Sequence, residues 1–168
     1  RRRGGRRAGS VGHLIDDDRY SDPVEARKKA MDYLARREHG RTELINKLTR
    51  FGFEADVADD AVAQLVDDGL QSDDRFAEAF VRSRINQGKG PSRIRAELRE
   101  HGLSDGAIDT ALAEAGQDWY ELAIDVRLRK FGGEQPADFK EKARQMRFLQ
   151  SRGFDTDQIQ VAVSANSE

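Results

Sequence analysis

Apolar residues along this chain fall into short stripes at helical spacing, and the stripes recur. At Leu48, Leu98 and Leu149 a leucine is followed four residues later by a glycine and then at once by a large apolar residue, giving Gly52 with Phe53, Gly102 with Leu103 and Gly153 with Phe154. The leucines stand 50 and 51 residues apart. A helix that ends in a left-handed residue favours glycine there, because a side chain would clash with the backbone, and the next residue folds back onto the last turn. Each leucine is therefore expected to touch the apolar residue after its glycine.

The repetition extends on both sides. Ala58, Ala61 and Val62 follow the first glycine, Ile108, Ala111 and Leu112 the second, and Ile159, Ala162 and Val163 the third, at identical helix-face offsets. Upstream lie Leu44, Ile45 and Leu48, then Ile94 and Leu98, then Phe139, Ala143, Met146 and Leu149. Before those come Ala30, Met31 and Leu34, then Phe76, Ala77, Phe80 and Val81, then Trp119, Leu122, Ala123 and Val126. Each module thus reads as three helices. The expected fold is all-α, with tandem three-helix repeats over residues 23–71, 72–116 and 117–164 forming an elongated curved arc, a design suited to long binding surfaces.

Composition fits thin cores under much charged surface, since 37% of the 168 residues are hydrophobic and 36% charged. The absence of cysteine leaves no disulfide frame, thiolate metal site or cysteine nucleophile, and suits a cytoplasmic protein. No secretory signal is visible, no apolar run approaches the roughly 20 residues that span a bilayer, and no segment alternates as a strand does.

Residues 1–22 differ in kind. RRRGGRRAGS is rich in arginine and glycine without apolar periodicity, so it is expected to be a flexible tail, either a nonspecific nucleic-acid arm or a solubilising leader. Charge in the modules is segregated beneath a net value of -2. Residues 54–74 hold eight acidic residues and no base, whereas Arg82, Arg84, Lys89, Arg93, Arg95 and Arg99 face the single Glu97. The next third helix is again acidic, and a basic run with Arg127, Arg129, Lys130, Arg144, Arg147 and Arg152 follows. Stacked in register, such modules would carry a basic stripe for phosphates or an acidic protein surface, although helix-dipole preference and plain solvation explain part of the alternation. The acidic third helices are an alternative partner for Arg82 and Arg84.

Catalytic motifs fail on inspection. GKGPSR at 88–93 lacks the glycine and the hydroxyl residue that a phosphate-binding loop requires, since Ser83 and Gly90 occupy those places. It reads instead as a turn with Pro91 opening a helix. His13, His39 and His101 have no ligand spacing and are expected to be solvated or near helix ends. Phe51, Phe76, Phe80, Phe131 and Trp119 sit at core spacing, while Phe148 is the candidate exception because Met146 and Leu149 better define its helix's buried face. No cofactor, metal or enzymatic activity is expected.

The run DDRFAEAFVRSRINQGKGPSRIRAELREHGL, from Asp73 to Leu103, resembles the signature of the RecX family of bacterial regulators of the RecA recombinase. MDYLARREHGRTELINKL, from Met31 to Leu48, resembles that family's first repeat, and RKFGG with RFLQSRGF, at 129–133 and 147–154, its last. The resemblance implies a curved molecule lodged in the groove of the RecA filament on single-stranded DNA. It also implies a negative regulator that limits filament growth, ATP hydrolysis, strand exchange and co-protease function. A monomer with weak direct DNA binding is expected. The residues expected to meet the filament or DNA are Arg82, Arg84, Lys89, Arg93, Arg95 and Arg99 in the second repeat, with Arg129, Lys130, Arg144, Arg147 and Arg152 in the third. A helical-repeat nucleic-acid binder and a general protein scaffold remain the alternatives, the first distinguished by tight, salt-sensitive binding to DNA alone.

Overall fold

The structure is a computed structural model that describes residues 18–165. The arginine-rich opening, read as a tail and candidate nucleic-acid arm, lies outside the described residues up to position 17, and His13 with it. Nine complete helices and no strand occur among the described residues: α1 (Pro23–Arg36), α2 (Arg41–Phe51), α3 (Ala55–Asp67), α4 (Asp73–Asn86), α5 (Pro91–Glu100), α6 (Asp105–Glu114), α7 (Trp119–Phe131), α8 (Phe139–Ser151) and α9 (Thr156–Ser164). They form three three-helix repeats, α1–α3, α4–α6 and α7–α9. The chain divides into two compact units, one ending at Ser72 and one beginning at Asp73.

The recurring glycines do what their spacing requires. Phe53 N–H donates to the Leu48 carbonyl at 3.1 Å, Leu103 to Leu98 at 3.2 Å and Phe154 to Leu149 at 3.2 Å. The glycines between them donate to Thr49, Arg99 and Gln150 at 3.1, 2.9 and 3.0 Å, and all three have positive φ. This is the paired bonding of a Schellman turn, which satisfies the last carbonyls of α2, α5 and α8 and drives the following apolar side chain into the core. Leu48, Leu98 and Leu149 are fully buried, and Phe53, Leu103 and Phe154 nearly so. Helix starts are fixed by Asp22, Ser104, Asp118 and Asp138, whose side chains accept from N–H groups of the first turn. Pro91 opens α5, as its fixed φ favours.

In the first unit, Ala26, Ala30, Leu44, Leu48, Phe53, Ala58, Ala61, Val62 and Leu65 form the core. Met31 and Phe51, placed inside by spacing, are 44% and 43% exposed, because the small Ala26 and Ala30 carry the close face of α1 and Phe51 is the last residue of α2. The end of the expected tail is anchored: the Tyr20 ring meets Phe53 edge-on at 5.7 Å, and its carbonyl accepts from Glu54 N–H.

In the second unit, the α4–α6 core contains Phe76, Ala77, Phe80, Val81, Ile94, Leu98, Leu103 and Ile108, and Trp119, assigned by spacing to the third repeat, packs against this second core. The α7–α9 core is smaller and differs in chemistry. The position four residues before the anchoring leucine is Leu44, then Ile94, then Gln145, and Arg127 is fully buried against that glutamine. Arg127 Nε donates to Gln145 Oε1 at 2.8 Å, and its two terminal nitrogens donate to the carbonyls of Glu134 at 2.7 Å and Ala165 at 3.5 Å. Arg127, read in the sequence as part of the basic run, is thus an internal clasp. It ties the loop containing Gly132, Gly133 and Pro136 to the end of α9, where Gln135 also donates to Ala165, so that long turn is held rather than free to hinge. Phe139, read as core, is 86% exposed because it is the first residue of α8, outside the contact face set by Gln145 and Leu149.

The second and third repeats are joined backbone to backbone. Gly90 N–H donates to the Arg152 carbonyl at 2.8 Å, and Ser92 N–H donates to the Gly153 carbonyl at 3.0 Å. Ser92 Oγ donates to Asp155, and Arg93 reaches the Ser151 carbonyl at 3.3 Å. The start of α5 is thereby fixed on the end of α8.

Candidate functional site

All the expected basic residues except Arg147 fall into three environments. In the first, one carboxylate gathers three cations: Arg84 lies 3.2 Å from Glu97, Lys89 3.4 Å and Arg93 3.9 Å. One negative charge against three leaves a local excess of positive charge, confined where Lys89 adjoins the Gly90 joint. The Arg84 guanidinium also covers the Phe80 ring at 4.1 Å, a cation–π contact that holds it in place.

In the second, cations are paired within their own repeat. Arg95 meets Asp109 at 2.6 Å and Arg99 meets Asp105 at 2.9 Å, so the basic second helix and acidic third helix of this repeat neutralise one another in part. The sequence suggested such pairing for Arg82 and Arg84. Instead Arg82 sits 3.6 Å from Glu78, one turn back on α4, and Arg84 joins Glu97. Exposed pairs of this kind contribute about 0–1 kcal/mol, so a phosphate or another carboxylate can exchange for the internal partner at small cost.

The third environment is aromatic. Phe131 and Phe148 meet edge-on with centroids 5.3 Å apart. Lys130 and Arg152 lie 5.5 and 5.2 Å from the Phe148 ring, and Arg144 lies 5.1 Å from Phe131. Arg129 is exposed beside them in sequence. Arg144 also forms a two-point pair with Glu141, and this hydrogen bonding holds the Glu141 carboxyl below, and the Arg144 guanidinium above, their usual ranges. The half-buried Phe148 packs against the third core as the half-buried Met146 does, so it is less of an exception than its spacing suggested, and it carries its cations from that position. Arg147 points elsewhere, into a groove between α8 and α9.

A buried polar cluster in the first unit went unforeseen. His39, expected near solvent or a helix end, is 2% exposed. Its Nδ1 donates to the Arg37 carbonyl at 3.0 Å, which leaves Nε2 to accept from Lys47 Nζ at 2.8 Å. Burial is the main reason that the imidazole and the Lys47 ammonium are both held below their usual pKa ranges. Its only advance signal is the position of His39 immediately before Gly40, which caps α2. His101 is half-buried against Phe76 and Phe80, at 5.1 and 5.3 Å. Among the described residues, no group of three or more His, Asp or Glu side chains is placed to hold a metal ion, and no helix is long and apolar enough to cross a membrane.

Comparison with known proteins matches all three repeats. Models of the first, second and third three-helix domains of RecX match residues 26–65, 72–112 and 117–163. A regulatory protein RecX of Halorhodospira halophila is 47% identical over 142 residues, covering 84% of this chain and 88% of its own. One from Pseudomonas syringae pv. tomato is 47% identical over 137 residues, covering 82% and 88%. In fold, the chain is similar to a crystal structure of RecX from Lactobacillus salivarius, with a TM-score of 0.69, 23% identity, and coverage of 89% of this chain and 96% of that one. A crystal structure of regulatory protein RecX gives a TM-score of 0.71 at 22% identity, covering 92% and 76%.

Proposed function

This chain belongs to the RecX family, and on that premise we propose that it is a negative regulator of the RecA recombinase. It binds the RecA filament on single-stranded DNA and restrains filament growth, ATP hydrolysis, strand exchange and co-protease activity. The observation that carries this reading is the match of all three repeats to RecX domains, and the joint between the second and third repeats, which holds the Glu97 cation cluster and the Phe131–Phe148 patch on one packed unit, supports it.

Arg84, Lys89 and Arg93 with Arg129, Lys130 and Arg152 are the first contacts in this account. Arg82, Arg95, Arg99 and Arg144 are reserves whose carboxylate partners must be exchanged. The second and third repeats each contribute a modest contact, and joining the two on one packed unit raises the effective concentration of the second once the first has formed. The bound protein favours a protomer arrangement unsuited to ATP turnover or subunit addition, a shift of population without a chemical step.

A second reading, weak direct binding to single-stranded DNA, is favoured specifically by Phe148 beneath Lys130 and Arg152, because bases stack on aromatic rings while cations hold phosphates. Co-sedimentation tests the two together. The protein should pellet with RecA assembled on single-stranded DNA and bind bare DNA weakly at the same salt. Equal binding to bare DNA would make the nucleic-acid reading the principal one.

A further inference from the structure

The groove between α8 and α9 belongs to neither cation cluster described above. It encloses about 840 Å³ with a floor of Ala143, Met146, Phe154 and Ile159, and Lys142 and Arg147 are on its lining. A smaller cavity of about 380 Å³, which reaches Pro136 and Val163, shares Phe139 and Lys142 with it. Phe139 stands where the two meet, 86% exposed. From Phe139 through Lys142, Ala143, Met146 and Arg147 to Gln150, one face of α8 is left open over about 17 Å of helix axis.

The charges on this groove are unequal in their commitments. The one carboxylate on its lining, Asp155, caps α9 and accepts from Ser92 Oγ, and Asp138, on the lining of the smaller cavity, caps α8 by accepting from Glu141 N–H at 2.8 Å. Lys142 and Arg147 have no ion-pair partner among the described residues, whereas Arg144 on the same helix is paired with Glu141. An apolar floor beneath uncommitted cations calls for an apolar anchor flanked by acids, and it disfavours a phosphate chain, which would leave that floor uncovered.

We propose that this groove docks an acidic segment of another protein, about three helical turns long, anchored by a large aliphatic or aromatic side chain against Phe139 and Met146. The site is separate from the proposed DNA-facing clusters, and its occupancy does not depend on the filament reading being correct.

The test uses the full chain and a fluorescent helical peptide of about twelve residues with leucines at i, i+4 and i+7 and glutamates elsewhere. It should bind saturably and shift backbone amide resonances of α8 and α9. Replacing its leucines by serine, or its glutamates by lysine, should weaken binding about tenfold or more, and Phe139→Ser and Arg147→Glu should each weaken it at least about fivefold with circular dichroism unchanged. The proposal is overturned if the peptide does not bind, or if both variants bind it as tightly as the wild type. Displacement of the peptide by an oligonucleotide would reassign the groove to nucleic acid, and a dimer lost in Phe139→Ser would reassign it to a second copy; either overturns it.

Discussion

Gly90 and Gly153 are both buried and lie backbone against backbone, so that a Cβ on Gly90 would overlap the Gly153 carbonyl and a Cβ on Gly153 would overlap Arg93. The two glycines have different duties. Gly153 has φ of 97° and ends α8, which alone favours glycine, whereas Gly90 has φ of -84°, a conformation open to any residue. At Gly90 only the closeness of the next repeat demands the missing side chain. The Glu97 cluster begins at its neighbour Lys89, so the joint and the charge it positions are parts of one arrangement.

Gly90→Ala isolates that contact. It should destabilise the second unit by about 1–3 kcal/mol through overpacking and split its unfolding into less cooperative steps, read by calorimetry or amide exchange. Gly106→Ala is the control: an added Cβ there meets nothing within 4 Å, and alanine within α6 should be neutral or mildly stabilising.

Arg127 makes a second prediction. Gln145→Ala strands a buried guanidinium donor and should cost about 1–3 kcal/mol. The double change Arg127→Val with Gln145→Ile restores the apolar pairing represented by Val81 and Ile94 in the second repeat. Replacement of both partners is expected to cost less than the single change, and a denaturant melt of the three proteins compares them directly. The double variant should also free the 132–138 loop, with faster amide exchange there.

Neutralising Glu97 should strengthen anion binding. Glu97→Gln releases Arg84, Lys89 and Arg93 from their shared carboxylate. Binding to single-stranded DNA should tighten and its dependence on salt should steepen by up to about one phosphate contact. Anisotropy titrations at several salt concentrations measure both effects.

The first unit should lose stability in mild acid. An unfolded histidine titrates near 6.5, and burial holds the folded His39 below that value. Between the two values the unfolded chain binds more protons, so stability rises with pH there. The contribution is present above about 6.5 and is lost as pH falls towards the folded value. Thermal melts at pH 7.5 and 5.5 should therefore differ more for the wild type than for His39→Gln.

The repeated helices and their Schellman turns were legible because glycine at a left-handed position and leucine at the core are local requirements that recur. Gln145 was legible in principle, since it breaks the series begun by Leu44 and Ile94. Partners across space were not. Nothing local distinguishes Arg127, which is buried, from Arg129, two residues on and exposed, because the difference lies in which side of α7 meets α8 and the loop carbonyl of Glu134. Phe139 was misread for a related reason: spacing alone does not say where a helix's contact face stops. The three matched domains place the chain in the RecX family, the partner we propose rests on that membership, and the proposed choice among its basic residues rests only on the pairs they form.

The most direct test of the central claim is RecA ATP hydrolysis on single-stranded DNA, measured while this protein or its Arg129→Glu/Lys130→Glu variant is titrated in. The account predicts suppression by the wild type at well below one molecule per RecA protomer, and a titration displaced to higher concentration for the variant with its helix content intact. Unchanged hydrolysis at saturating protein would contradict it.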